Sequence, residues 1–222
     1  MYHSVATLLN DGSVWVGGSN PNVDVITEQN NASYPYKTEW RVERFYPSYY
    51  DSPRPAPTGL PTSLSYGGDP FTLALPSSSV DGVDLEADVS VMLIRTGFST
   101  HVMNMGQRAL ELQHTYSLNS DGSATLHVSQ LPPLPGLFAP GPALLFVVVK
   151  GVPSNGTTVM VGSGKLGTQP TAALPTLPTS SRSSSRGGSN ASSNGSSSGA
   201  PSLSISLFGV VLAAVVAMVA CM

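Results

Sequence analysis

Leu110-Glu111-Leu112-Gln113-His114-Thr115-Tyr116-Ser117-Leu118, then Asn119-Ser120-Asp121-Gly122, then Ser123-Ala124-Thr125-Leu126-His127-Val128, is the stretch that decides the fold. Leu110, Leu112, His114 and Tyr116 share one parity and Glu111, Gln113 and Thr115 the other, the period-2 pattern of a strand with one buried face. The Asn-Ser-Asp-Gly turn reverses the chain into Ala124, Leu126 and Val128, so a β-hairpin is predicted. His114 lies on the apolar parity and is expected as a hydrogen-bonded core residue. His127 lies on the parity opposite Leu126 and Val128 and is expected to meet solvent.

The same alternation recurs upstream in Phe71-Thr72-Leu73-Ala74-Leu75 and in Val89-Ser90-Val91-Met92-Leu93. Leu144 to Val149 is apolar on both parities, as a strand covered on both faces should be, and the prolines at 132, 133, 135, 140 and 142 mark a rigid loop before it. Five or more short strands at this spacing predict an immunoglobulin-like sandwich over residues 51–162. Composition agrees: 22 Gly and 19 Pro with only 10% charged residues favour short strands and turns over amphipathic helices, so the fold class is all-β.

Residues 1–50 read differently. Ser4 to Leu9, the turn Asn10-Asp11-Gly12-Ser13 and Val14-Trp15-Val16 make one hairpin, and Val42 to Tyr46 adds a strand. So few strands are marginal in water, and this piece is expected to need partners that the chain does not supply. Tyr34, Tyr36, Tyr49 and Tyr50 are expected to pack at its junction with the sandwich, and Asp51 and Arg54 to pair across that junction.

Beyond the sandwich, residues 163–202 are Ser, Gly, Pro and Thr without apolar periodicity, which predicts a disordered stalk with Arg182 and Arg186 in solvent. Residues 203–222 are apolar and uncharged, long enough as a helix to span a bilayer. No Lys or Arg follows, and a polar small-residue spacer precedes, a pattern that favours a glycosylphosphatidylinositol signal, with attachment near Asn194, over a single-pass helix. Four Asn-x-Ser/Thr acceptors, Asn31, Asn155, Asn190 and Asn194, fit an extracellular, surface-anchored chain. The net charge of −3 and the lack of a basic cluster exclude a nucleic-acid partner.

Met1-Tyr2-His3-Ser4, Leu9 through Pro21 (Leu-Asn-Asp-Gly-Ser-Val-Trp-Val-Gly-Gly-Ser-Asn-Pro), Arg44-Phe45-Tyr46-Pro47 and Thr100-His101-Val102-Met103-Asn104-Met105-Gly106-Gln107-Arg108 together resemble the copper-radical oxidases of the glyoxal oxidase and galactose oxidase type. The resemblance runs from Met1 to about Val161. It implies that residues 1–50 are the last strands of a seven-bladed β-propeller, that residues 51–162 are an early-set domain, and that Met1 is an internal methionine of a longer protein. It implies one copper ion with His3 and His101 as equatorial ligands and Tyr2 as axial ligand and catalytic proton acceptor, since imidazole suits Cu(II) and a loosely held phenol can take a proton. The implied reaction oxidises a small aldehyde or alcohol with O2 and releases hydrogen peroxide.

The family's radical cofactor is a tyrosine cross-linked to a cysteine, and the one cysteine of this sequence is Cys221, in the apolar tail. The chain alone presents at most Tyr2, His3 and His101 and is therefore expected to be inactive in radical catalysis. A second reading is a non-catalytic, surface-anchored sandwich that serves in binding or adhesion.

Overall fold

The computed structural model describes residues 3–28, 32–101 and 103–182. Within them the protein is strand and turn, with a single four-residue helix, α1 (Ser77–Val80). Strands β1 (Val5–Leu8), β2 (Val14–Gly17) and β3 (Val42–Phe45) form an antiparallel sheet in that order. The other strands are β4 (Ser63–Leu64), β5 (Phe71–Leu75), β6 (Val89–Arg95), β7 (Phe98–Thr100), β8 (Met103–Met105), β9 (Arg108–Leu112), β10 (His114–Leu118), β11 (Ala124–Val128), β12 (Gly141–Val149), β13 (Val152–Pro153), β14 (Thr157–Val161) and β15 (Ser181–Arg182).

Two sheets enclose the core: β15-β10-β11-β5, and β4-β14-β12-β6-β9 with β13 beside β12. Leu73, Leu75, Leu126 and Val128 of the first meet Val91, Leu93, Leu145, Val147, Val159 and Val161 of the second in one buried cluster. These are the residues that alternation places inward, which is why parity predicts them. The result is an all-β fold consistent with an early-set sandwich.

One turn chemistry builds both sequence-predicted hairpins. Asp11 Oδ1 accepts the Ser13 amide and hydroxyl at 3.0 and 2.6 Å, and Asp121 Oδ1 accepts the same groups of Ser123 at 2.9 and 2.6 Å. Gly12 and Gly122 carry the left-handed φ of 78° and 80° that an L-side chain would resist. Short side-chain to backbone bonds of this kind fix a turn before long-range packing does.

Several expectations are corrected. The run from Arg108 to Leu118 is two strands: β9 pairs with β6 and β10 with β11, the chain changing sheets at Gln113, whose carbonyl accepts the Ser129 amide. Both strands point alternate residues at the same core, Leu112 and Tyr116 included, so the crossing leaves parity intact. Pro142 sits inside β12, exposed, opposite Met160 and beyond the end of the β6 pairing, where no amide donor is needed.

The expected stalk is also revised, because residues 163–182 are held on the sandwich. Gln169 is buried and its Oε1 accepts the Ser163 amide, the Ala172 amide donates to Tyr66, the Gly68 amide donates to Ala173, and β15 adds in parallel to β10. Arg182 is exposed, as expected, and its guanidinium lies over the Tyr116 ring. Arg186 and the rest of 183–222, with the expected C-terminal helix, Asn190, Asn194 and Cys221, lie outside the described residues.

Leu144 and Phe146, on the outer face of β12, are buried but stand outside the core cluster. The β1–β2 hairpin lies over this face: Leu8, Gly12 and Tyr49 share a cavity of about 200 Å³ with Met92, Ile94, Phe146 and Val148. The Gly156 amide donates to Asn10 at 2.7 Å, and a Cβ at Gly156 would come within 2.6 Å of the Phe146 ring. The sandwich thus supplies part of the partner surface that the N-terminal strands were expected to lack.

At this junction Tyr49 and Tyr50 pack as expected, whereas Tyr34 and Tyr36 are exposed, Tyr36 to 76%. Arg54 does not pair with Asp51. Its guanidinium donates to the Pro153 and Tyr50 carbonyls and lies over the Tyr50 ring, so carbonyl dipoles and a π-face take the place of a carboxylate.

Candidate metal centre

His3 precedes β1 and His101 stands at the turn between β7 and β8. The β7–β8 hairpin reaches across to β1, where Ser99 Oγ donates to the Ser4 carbonyl at 2.8 Å. The two imidazoles meet edge-to-face, their centroids 5.3 Å apart and their planes at 77°. A metal–nitrogen bond of about 2 Å places an ion about 3 Å from a ring centroid, so two rings can share an ion up to about 6 Å apart. The observed separation fits.

Backbone conformation marks the same two residues. His3 and His101 have φ of 61° and 53°, and among the described residues the one other non-glycine at positive φ is Lys150, in the tight β12–β13 turn with Gly151. Left-handed backbone in a histidine costs energy, and strain of this kind concentrates at functional sites.

His3 Nδ1 lies 3.1 Å from the Asn20 carbonyl. A carbonyl oxygen only accepts, so Nδ1 carries the proton and Nε2 is the nitrogen with the lone pair. His101 Nδ1 lies 2.8 Å from Thr100 Oγ1, a hydroxyl that can donate or accept. Bonds from the non-ligating nitrogen to a carbonyl or hydroxyl are what orient metal-binding histidines.

Asn20 is itself fixed. Thr38 Oγ1 donates to Asn20 Oδ1 at 2.9 Å and accepts the Ile26 amide at 3.0 Å, and the Glu39 amide donates to Ser19. Asn20 and Thr38 went unassigned in the sequence. The signal available was Gly17-Gly18-Ser19-Asn20-Pro21, a motif carrying the resemblance but no stated role.

At the far end of the hairpin, Asp11 Oδ2 accepts from Arg44 Nη2 at 2.6 Å and from the Tyr50 hydroxyl at 2.9 Å. The Ser13 hydroxyl, then the Ser13 amide, Tyr50 and Arg44, hold the Asp11 carboxyl down to about 2. The same contact raises the Tyr50 phenol, because the bond favours its protonated form. Tyr49 donates to Gly12 and completes the clamp.

The remaining sequence-predicted residues are scattered. His114 is half-buried with Nε2 3.4 Å from the Leu85 carbonyl. His127 is partly exposed, on the face opposite Leu126 and Val128, and meets Ser117 Oγ at 3.0 Å. Asn155 is exposed between β13 and β14. Tyr2 and Asn31 lie outside the described residues. Among the described residues no group of three or more His, Cys, Asp or Glu gathers, so His3 and His101 stand as a two-imidazole pair.

Residues 54–161 match the galactose oxidase-like, early set domain family. The chain is 35% identical over 167 residues to "Aldehyde oxidase GLOX1" of Arabidopsis thaliana, a match covering 72% of this chain and 26% of that protein. It is 32% identical over 168 residues to "Galactose oxidase" of Gibberella zeae, covering 72% of this chain and 21% of that one. The solved structure of a fungal alcohol oxidase of the AA5 family, in complex with copper, superposes with a TM-score of 0.51 at 25% identity, covering 72% of this chain and 31% of that one. The chain thus spans about a quarter of the length of the curated relatives it matches. By these matches residues 54–161 are a galactose oxidase-like, early set domain, in a chain similar to proteins named aldehyde oxidase GLOX1 and galactose oxidase.

Proposed function

We propose that His3 and His101 would hold one copper ion in an extracellular oxidase of the glyoxal oxidase type, which converts an aldehyde, O2 and water to a carboxylic acid and hydrogen peroxide. The observation that carries this reading is the meeting of the two imidazoles, brought from separate loops and both in left-handed backbone, at a spacing one ion can bridge. Copper would supply a one-electron acceptor and a Lewis-acidic seat for the substrate oxygen. His3, its proton fixed on Nδ1 by the Asn20 backbone carbonyl, would offer Nε2, and Tyr2, next to it in sequence, would serve in this reading as a further ligand and proton acceptor.

The same reading takes β1–β3 as part of a propeller blade. β3 is exposed along all four residues, with Val42 and Phe45 at 55% and 60%, the surface a further strand would cover. Since the 222 residues hold one cysteine, Cys221, the chain alone holds the ion and does not turn over aldehyde. The early-set domain is then anchored at the cell surface by a lipid attached near Asn194, residues 203–222 being the signal that the lipid replaces, with glycans at Asn31, Asn155 and Asn190. Release of the protein from membranes by a phosphatidylinositol-specific phospholipase tests the anchor.

Equilibrium dialysis against Cu(II) tests the centre. Wild type is expected to retain one equivalent, and His3→Asn and His101→Asn to lose it. Asparagine is the suitable replacement because it tolerates left-handed backbone. A folded wild type that retains no copper would remove the oxidase reading and leave a surface-anchored binding module.

A further inference from the structure

We infer that Thr38 is a positioning residue for His3, acting through the Asn20 carbonyl to set the imidazole's tautomer and aim. The inference rests on the copper reading of His3 and His101 and adds to it a residue whose hydroxyl holds the Asn20 side chain.

Thr38 is 5% exposed, one of few buried polar side chains in the described residues, and both capacities of its hydroxyl are used. It donates to Asn20 Oδ1 at 2.9 Å and accepts the Ile26 amide at 3.0 Å, while its own amide donates to the Ile26 carbonyl at 2.9 Å. Three further contacts stitch the segment before Asn20 and the one after it to residues 36–39. The Glu39 amide donates to Ser19 at 2.8 Å, Asn22 Nδ2 donates to the Tyr36 carbonyl at 2.9 Å, and Gly18 lies so near Glu39 that a Cβ would come within 2.0 Å of its carbonyl oxygen.

The loop 18–22 is therefore pinned on both sides of the residue whose carbonyl takes the His3 Nδ1 proton at 3.1 Å. Thr38 is the one buried member of the set and the one that grips Asn20 itself. Buried hydrogen bonds are worth most where neither partner can turn to water, so this grip governs where the carbonyl points. A histidine whose Nδ1 is so held presents Nε2 to an ion. A histidine released from it favours the proton on Nε2, where the lone pair should be.

Thr38→Val keeps shape and removes the hydroxyl. Thr38→Ser keeps the hydroxyl and is the rescue variant. Asn20→Ala deletes the side-chain oxygen that accepts from Thr38 and leaves both Thr38 and the backbone carbonyl facing His3 in place. In the full copper-free chain, two-bond nitrogen–proton NMR correlations of the histidine rings at pH 8 are expected to show His3 as the Nδ1–H tautomer in wild type and Thr38→Ser, shifted toward Nε2–H in Thr38→Val and Asn20→Ala. The Cu(II) dissociation constant is expected to rise about 10- to 100-fold in the latter two, the usual effect of losing an outer partner of a metal ligand, and to return to wild type in Thr38→Ser. Circular dichroism melts establish that each variant is folded, and Asn20→Ala carries the test where Thr38→Val is not.

An Nε2–H tautomer in wild type overturns the inference, as does an unchanged tautomer with unchanged copper affinity in folded Thr38→Val or Asn20→Ala. Absence of copper binding by a wild type that shows the expected tautomers overturns the copper reading instead, so the two failures are separable.

Discussion

Ser99 Oγ donates to the Ser4 carbonyl at 2.8 Å across 95 residues of sequence, and these residues stand beside His101 and His3. This bond is a direct tie between the β7–β8 hairpin and the segment before β1 that carries His3. Ser99→Ala is expected to cost about 1 kcal/mol, the net worth of one such bond. If that loss falls on the meeting of the two rings, copper affinity drops about fivefold. Amide hydrogen exchange over residues 98–105 should quicken in the same variant. Unchanged exchange there would show that other contacts hold the hairpin.

The left-handed backbone at His3 and His101 predicts an order of stability that side-chain size alone would not give. At His3, replacement by Gly or Asn should leave the melting temperature of the copper-free chain near or above wild type, because both residues accept φ near 61°. His3→Ala should be less stable than His3→Asn by about 1 kcal/mol, the cost of Cβ in that region. Equal melting of the Ala and Asn variants would mean that the backbone relaxes there.

Asp11 links the hairpin turn to acid stability. Its folded value of about 2 lies below the ordinary 3.8, so the unfolded chain binds the proton more readily. Its contribution is whole above about pH 4 and is lost as pH falls from there toward about 2. The carboxyl is partly exposed, which reduces the worth of the Ser13, Tyr50 and Arg44 contacts to about 1 kcal/mol. Urea midpoints of wild type and Asp11→Asn should therefore differ at pH 6 and converge near pH 2. A difference that persists at pH 2 would assign the effect to packing.

What the sequence disclosed follows from which forces leave a periodic trace. Leu73, Val91 and Leu126 were legible because burial alternates along a strand, and the Asp-Gly-Ser turns because their chemistry is local. The sheet change at Gln113 was not, since a strand that crosses the sandwich edge keeps the same residues turned inward. Residues 163–182 read as linker because backbone bonds to Tyr66 and Gly68, which composition cannot register, hold much of them. His3 and His101 emerged through the motifs around them. Thr38 gave no signal, since its role comes from a loop contact with Asn20 across 18 residues.

The docked segment supplies the last prediction. Gly67 has φ 75°, and a Cβ there would lie 1.7 Å from the Ala172 carbonyl oxygen, a backbone atom that cannot turn aside. Gly67→Ala must therefore push residues 171–173 away, costing the bonds from the Ala172 amide to Tyr66 and from the Gly68 amide to Ala173. Gly151 has nearly the same φ, 77°, but open space around it, so Gly151→Ala carries the backbone strain without the clash. Limited proteolysis with an elastase, which cuts after small residues, should cleave Gly67→Ala at Ala172 and Ala173 well before wild type. Gly151→Ala should melt about 1 kcal/mol less stably yet keep the wild-type cleavage pattern. Identical patterns in the two variants would mean that strain at a glycine, and not the loss of its close approach to Ala172, opens the segment.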